Sequence, residues 1–288
     1  MHRFLLHNGA LRENKEALLS PGQVGFLNGW GVFSTLRVSE GVLFAFDRHY
    51  ARLRRDAALL HVPFTLSAAE LEKSLLTLVD ANHVADATLR VAIVRNKGGL
   101  FESPALTRDA DLIAFTADLS AWGAGVNLSY VANGRFAASP FSGVKYTSWA
   151  ENLTWYEQAH QNGFDEVILL NERGQVSECT SANIFAIKDG RVLTPPLASG
   201  CLPGVTRAIL LEEIRLAGLA IFERELTPAD LDESDQVFVT STTRDLLPVF
   251  SVDRRPLRQD RQRLASLQRA FLDFRAAYTA DRKVALTR

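Results

Sequence analysis

The chain has two cysteines, one methionine, no excess of charge of either sign and no long apolar run, and each absence closes off a class of protein. Cys179 and Cys201 lack both a CxxC pattern and a Cys/His ligand spacing, so neither a zinc site nor a disulfide scaffold is supported, and no metal is expected. Each reads as a small buried thiol. The 33 acidic and 32 basic residues leave a formal charge of −1, and the basic residues are spread along the sequence. No basic stripe exists to neutralise a phosphate backbone, so nucleic acid is excluded as a partner. Apolar runs such as Val167 to Leu170 fall far short of the ~20 residues of a membrane span. Near the start, Asn8-Gly9 interrupts the chain before a signal-peptide core can form, and the expected location is cytoplasmic. Several catalytic motifs are missing too. No GxGxxG follows a strand, and GxxxxGK[ST], GxSxG and HExxH do not occur, which removes the Rossmann, P-loop, hydrolase and zincin readings.

Lysine is scarce as well: six of the 32 basic residues are Lys15, Lys73, Lys97, Lys145, Lys188 and Lys283. Five have polar, charged or glycine-rich neighbours and read as solvated. Lys145, in Phe141-Ser142-Gly143-Val144-Lys145-Tyr146-Thr147-Ser148-Trp149, is flanked by apolar, aromatic and small residues. A desolvated amine there suits a Schiff-base lysine, and a snorkelling lysine fits the same pattern.

The 288 residues predict two α+β domains. Residues 1–118 form a smaller N-terminal domain, 119–125 a linker with Gly123 and Gly125, and 126–288 a larger C-terminal domain. In the first, strands are expected at Phe4–His7, Val42–Phe46, Thr88–Val94 and Asp111–Ala117, with extended segments at Val24–Leu27 and Gly31–Val38. Helices are expected from Arg48 to Leu60 and, capped by Ser67 with Glu70 three positions on, to about Ala81. In the second, strands at Val126–Val131, Glu166–Leu170, Ile184–Ile187 and Val237–Thr240 alternate with helices at Trp149–Asn162, Gly204–Leu216 and Arg258–Tyr278. No internal repeat appears.

Several features suit an anionic, phosphate-bearing ring. Leu202-Pro203-Gly204-Val205-Thr206-Arg207 opens a helix, so the N–H groups of Val205 and Thr206 face outward at its positive end. Thr240-Ser241-Thr242-Thr243 offers hydroxyls at a strand end. Arg52 can add a fixed charge. Glu178, in Gln175-Val176-Ser177-Glu178-Cys179-Thr180-Ser181-Ala182-Asn183, precedes small polar residues and a strand, and a carboxylate facing a pyridine nitrogen would keep it protonated.

Together with Gly163-Phe164-Asp165-Glu166-Val167, Leu193-Thr194-Pro195-Pro196, Thr242…Pro248-Val249, Gly29-Trp30-Gly31-Val32-Phe33 and His49-Tyr50-Ala51-Arg52-Leu53, these strings resemble the class IV aminotransferases of pyridoxal 5'-phosphate (PLP) fold type IV. The resemblance covers nearly the whole chain in the expected order. It implies the two-domain α+β fold of that family and PLP as cofactor. Lys145 would bind PLP as a Schiff base and carry the proton, with Glu178 pairing with the ring nitrogen. Arg52, Val205, Thr206, Ser241 and Thr242 would hold the phosphate, with Leu202 packing on the ring and Asn183 supporting the Glu178 loop. Trp30, Phe33, Arg37, Arg95 and Phe101 are the substrate candidates. The family's members are homodimers, so at least a dimer is expected.

The implied reaction is transfer of an amino group from an amino acid, branched-chain among the candidates, to a 2-oxo acid. Branched-chain enzymes commonly carry Phe-Glu-Gly where this chain has Phe33-Ser34-Thr35, and a tyrosine where it has Ala150. The Arg-x-His pair of D-amino-acid enzymes is replaced by Arg95-Asn96-Lys97. Phe33-Ser34-Thr35-Leu36-Arg37, Arg95…Gly98-Gly99 and Glu151 are similar to aminodeoxychorismate lyases, which release pyruvate and 4-aminobenzoate. That lyase is the alternative, followed by a non-catalytic PLP carrier. A cofactor-free Schiff-base aldolase would leave Glu178 and the phosphate residues without a purpose.

Overall fold

The computed structural model describes residues 1–16, 20, 22–99 and 106–286. Two compact units emerge. The first comprises Met1–Ser120, Lys145–Trp149 and Ala277–Arg288, and the second Ala121–Val144 and Ala150–Ala276.

The first unit contains β1 (Phe4–His7), β2 (Ala10–Glu13), α1 (Val24–Asn28), β3 (Gly31–Ser39), β4 (Val42–Leu43), α2 (Phe46–Leu59), α3 (Ala68–Ala81), β5 (Ala87–Arg95) and β6 (Ala110–Ala117). Its strands form one antiparallel sheet in the order β2-β1-β6-β5-β3-β4. Alternate residues of β5 are buried, the period expected where a sheet buries one face. On α3, Leu71, Leu75 and Leu78 recur at helical spacing and join the core of Leu36, Val38, Leu53, Leu89 and Val91. The capping box at Ser67 and Glu70 is formed in both directions.

Two expectations fail in this unit. Val24–Leu27 is helical, not extended: Gly29, at φ 63°, ends the turn in the left-handed region, and a β-carbon on Gly25 would lie 2.4 Å from the Val94 side chain. Close packing of glycine against β5 thus outweighs the extended preference of the local residues. The strand expected over Val42–Phe46 stops at Leu43, because Ala45 turns at φ 53° and Phe46 already begins α2.

The second unit contains β7 (Val126–Arg135), α4 (Ala150–Gln161), β8 (Glu166–Asn171), β9 (Val176–Cys179), β10 (Asn183–Lys188), β11 (Arg191–Thr194), α5 (Val205–Glu212), β12 (Ala220–Glu223), α6 (Pro228–Asp232), β13 (Gln236–Ser241), β14 (Asp245–Val252), β15 (Arg255–Pro256) and α7 (Arg261–Leu286). A mixed sheet runs β12-β11-β10-β13-β14-β7-β8-β9, with β15 on β14. Strands β8, β10 and β13 are almost wholly buried, so they read as continuous apolar runs and not as alternating ones. Helix α5 ends at Glu212, one turn short of Leu216. Helix α7 instead continues to Leu286, and its last turns, from Ala277, belong to the first unit: there Tyr278 meets Phe44 edge-on at 5.4 Å, and Arg282 grips both oxygens of Glu72. Those partners are over 200 residues away, beyond the reach of any local pattern.

Leu75 is fully buried in the core of the first unit. Leu75→Ala lowers stability by about 2–5 kcal/mol, read from the midpoint and slope of urea unfolding.

Candidate functional site

In the first unit the Lys145 segment lies along β3. Tyr146 bridges Val32, the Lys145 carbonyl accepts the Phe33 N–H at 3.0 Å, and the Thr147 N–H donates to the Gly31 carbonyl at 2.9 Å. Thr147 and Ser148 hydroxyls donate to the Gly29 carbonyl. On the other side, the Lys145 N–H donates to Oδ2 of Asp56, a carboxylate buried on α2 and paired with Arg55. The half-buried lysine sends its Nζ to 4.5 Å from the centre of the Phe33 ring and 5.7 Å from that of Trp149. These two rings meet edge-to-face at 5.9 Å. An ammonium so placed is held by ring quadrupoles and partly shielded from water.

Helix α2 buries Phe46, Leu53 and Ala57 beside a polar stripe of His49, Arg52 and Asp56, spaced three and four residues apart. Arg52 Nη2 donates to Ser34 Oγ at 3.0 Å, and Ser34 Oγ lies 2.8 Å from His49 Nδ1. Burial first, then the nearby charges of Arg52 and Lys145, push the His49 pKa well below the usual imidazole value. Neutral His49 then accepts the Ser34 proton while Ser34 accepts from Arg52, which satisfies the hydroxyl in both senses.

Of the proposed substrate residues here, Phe33 adjoins the lysine. Trp30 stacks under Arg95, 4.2 Å from its ring centre, and donates to the Leu60 carbonyl. Arg95 donates to the carbonyls of Lys97 and His61. Half-buried Arg37 lies further along β3, and Phe101 falls outside the described residues. Sequence reasoning missed Arg90 on β5, whose guanidinium lies 3.9 Å from the Phe33 ring centre. Its strand pattern carries no sign of this, since the neighbour that matters is across the sheet.

In the second unit Glu178, next to the last residue of β9, is almost fully buried. Its Oε1 accepts from Arg135 Nε at 2.9 Å and its Oε2 from the Leu202 N–H at 3.0 Å. Arg135 also donates to Asn152, which donates in turn to the Thr180 carbonyl. Asn183 Nδ2 donates to the Leu202 carbonyl at 2.9 Å, so one turn is held by both the glutamate and the asparagine. The turn leads into α5 through Gly204, where a β-carbon would fall 2.0 Å from Asn183 Oδ1. The N-cap of α5 is Gly204, which has no side chain to offer, and the first-turn N–H groups of Val205 and Thr206, like those at any helix start, lack an intrahelical acceptor. Ser241 Oγ accepts the Arg244 N–H, Thr242 is half-buried beside it, and buried Thr240 Oγ1 has no partner among the described residues. Cys179 and Cys201 are buried, and desolvation raises both thiols, Cys179 well above the usual range and Cys201 to about 11.

Residues 31–252 match the Amino-transferase class IV family. The chain belongs to the class IV aminotransferases. It is similar to a putative branched-chain-amino-acid aminotransferase of Methanocaldococcus jannaschii, 29% identical over 94% of this chain and 96% of that one. With a D-alanine aminotransferase of Bacillus licheniformis it shares 30% identity, over 86% and 88% of the two chains. Among solved structures it resembles the branched-chain amino acid aminotransferase from Escherichia coli, with TM-score 0.86 and 25% identity over 96% and 95%. Its fold is therefore the α+β PLP fold type IV, and PLP is the cofactor of this aminotransferase.

The residues present fit that group. An uncapped helix start and neighbouring hydroxyls offer donors for a dianionic phosphate, while a buried, anchored carboxylate suits a pyridinium. A half-buried lysine among rings suits covalent attachment. Among the described residues no helix is long and apolar enough to cross a membrane.

A histidine kept neutral by the fold stabilises it above the unfolded-state pKa, near 6.5, and less as pH falls, because the unfolded chain then binds the proton. Stability of the aminotransferase therefore drops below about pH 6.5. His49→Gln flattens this acid limb, which urea midpoints compared at neutral and mildly acidic pH will show.

Proposed function

We propose that this aminotransferase acts on amino acids with apolar, branched-chain-type side chains and transfers the amino group to a 2-oxo acid. The observation that carries this is the surround of Lys145: its amine lies against Phe33 and Trp149, and Arg90 lies against the same Phe33 ring. Aromatic walls favour an apolar side chain, and a guanidinium gives a substrate carboxylate bidentate recognition.

In this reading Lys145 is the covalent attachment point, and its Nζ, once released, would take the proton from the substrate's α carbon and pass it to the cofactor carbon to which the lysine had been attached. When bound, PLP supplies the sink for the electron pair freed at that carbon. Glu178, held by Arg135 and the Leu202 N–H, keeps a proton on the ring nitrogen. Arg52, Val205, Thr206, Ser241 and Thr242 bind the phosphate, Leu202 packs on the ring and Asn183 fixes the turn that carries it. Exposed Phe26, Leu27, Phe136 and Phe141 are the kind of surface that pairing of two copies covers, and we place the enzyme in the cytoplasm as a homodimer.

The test follows visible absorbance while L- and D-amino acids are added singly. Apolar amino acids bleach the cofactor band, and a 2-oxo acid restores it. Reaction with aminodeoxychorismate alone, with pyruvate released and the band retained, would replace this reading by the lyase. A band indifferent to every amine would leave a carrier. Lys145→Ala slows the half-reaction by about 10²–10⁴-fold. Arg90→Gln raises KM for the amino acid, by about tenfold or more, with a smaller effect on kcat.

A further inference from the structure

A second buried ion pair lies in the second unit, away from the Glu178–Arg135 pair. Glu166, on β8, is 1% exposed, and Arg244, in the turn between β13 and β14, is 7% exposed. Arg244 Nη2 lies 3.1 Å from Glu166 Oε2, and its guanidinium stacks 4.0 Å from the centre of the Trp122 ring. Glu166 is fully engaged: Oε1 accepts the Val167 N–H and the Thr180 hydroxyl, and Oε2 accepts the Ser181 hydroxyl as well as Arg244. Thr180 and Ser181 lie in the turn that follows β9, just beyond Glu178 and Cys179. At the other end of the pair, the Arg244 backbone N–H donates to Ser241 Oγ. The two turns lie at the same end of the antiparallel strands β10 and β13, where Asn183 pairs with Thr240.

Stability alone gives a poor reason for this arrangement. Burying an ion pair costs desolvation that its attraction often fails to recover. Arg244 also leaves Nε and Nη1 without an acceptor among the described residues. What the pair does supply is a fixed separation between two turns. We propose that Glu166 and Arg244 are positioning residues that tie the Glu178 turn to the Ser241–Thr242 turn, so that recognition of the PLP ring nitrogen and of its phosphate depend on one interaction. This rests on the roles given above to Glu178, Ser241 and Thr242.

The experiment titrates apoprotein, through its visible absorbance, with PLP, with pyridoxal, which lacks the phosphate, and with 1-deaza-PLP, which lacks the ring nitrogen. Parent protein is compared with Glu166→Gln, Arg244→Met and the double variant, and the melting temperature of each apoprotein is recorded. Each single variant weakens PLP binding by about tenfold or more and narrows the preference for PLP over both analogues. The double variant is no worse than the weaker single, as expected for partners in one interaction. A variant with a lower melting temperature but the parent's affinities and both preferences would overturn the proposal, as would equal weakening toward all three compounds. Should Glu166→Gln and Arg244→Met fail to fold, Arg244→Lys, which keeps the charge but loses the planar fork, decides by the same comparison. A parent protein that prefers PLP over neither analogue would overturn the roles of Glu178 and Ser241 themselves, and this proposal with them.

Discussion

Lys145 is held by its backbone before its side chain does anything. Its N–H is fixed by the buried Asp56 carboxylate and its carbonyl by the Phe33 N–H, so the residue is clamped between helix α2 and strand β3. Tyr146 adds a single β-bridge to Val32, and Thr147 carries the contacts on to Gly31 and Gly29. Gly29 could be no other residue at little cost: at φ 63° a β-carbon there would lie 2.5 Å from the Ser148 hydroxyl. The aim of the lysine amine at Phe33 and Trp149 follows from this clamp, as does the shielding of that amine from water.

The polar stripe on α2 shows what the clamp costs. A helix that packs on a sheet ordinarily buries apolar residues only, since a buried charge without partners is expensive. Here His49, Arg52 and Asp56 are buried on the same helix as Phe46 and Leu53, and each has a partner: Ser34 for the first two, the Lys145 N–H and Arg55 for the third. Such a stripe makes sense as a supporting layer for groups that must stay in one place, and through Asp56 it holds the backbone of Lys145.

Much of this was readable in the sequence, for reasons that differ by element. Strand-like runs marked β5 and β6, a Ser-x-x-Glu start marked α3, and the apolar setting of a scarce lysine marked Lys145. Where partners are distant, local signals fail. Asp56 meets Lys145 across 89 positions and Arg135 meets Glu178 across 43, and nothing beside either residue announces the pairing. Arg90 looks like an ordinary strand arginine until the sheet brings Phe33 beneath it. Val24–Leu27 read as extended because its residues favour that state, yet contact between Gly25 and β5 decides for a helical turn. Buried ion pairs such as Glu166 with Arg244 are illegible in the same way, since charged residues in a linear pattern predict exposure.

The two cysteines bear on how the protein can be handled. Both are buried, and the proton of each is held far more tightly than at the surface, so almost no thiolate is present near neutrality. Maleimides, iodoacetamide and mild oxidants have little to attack in the folded chain. A single cysteine introduced on an exposed helix face would be the one reactive thiol, giving a site-selective handle for dyes, spin labels or solid supports without first removing native residues.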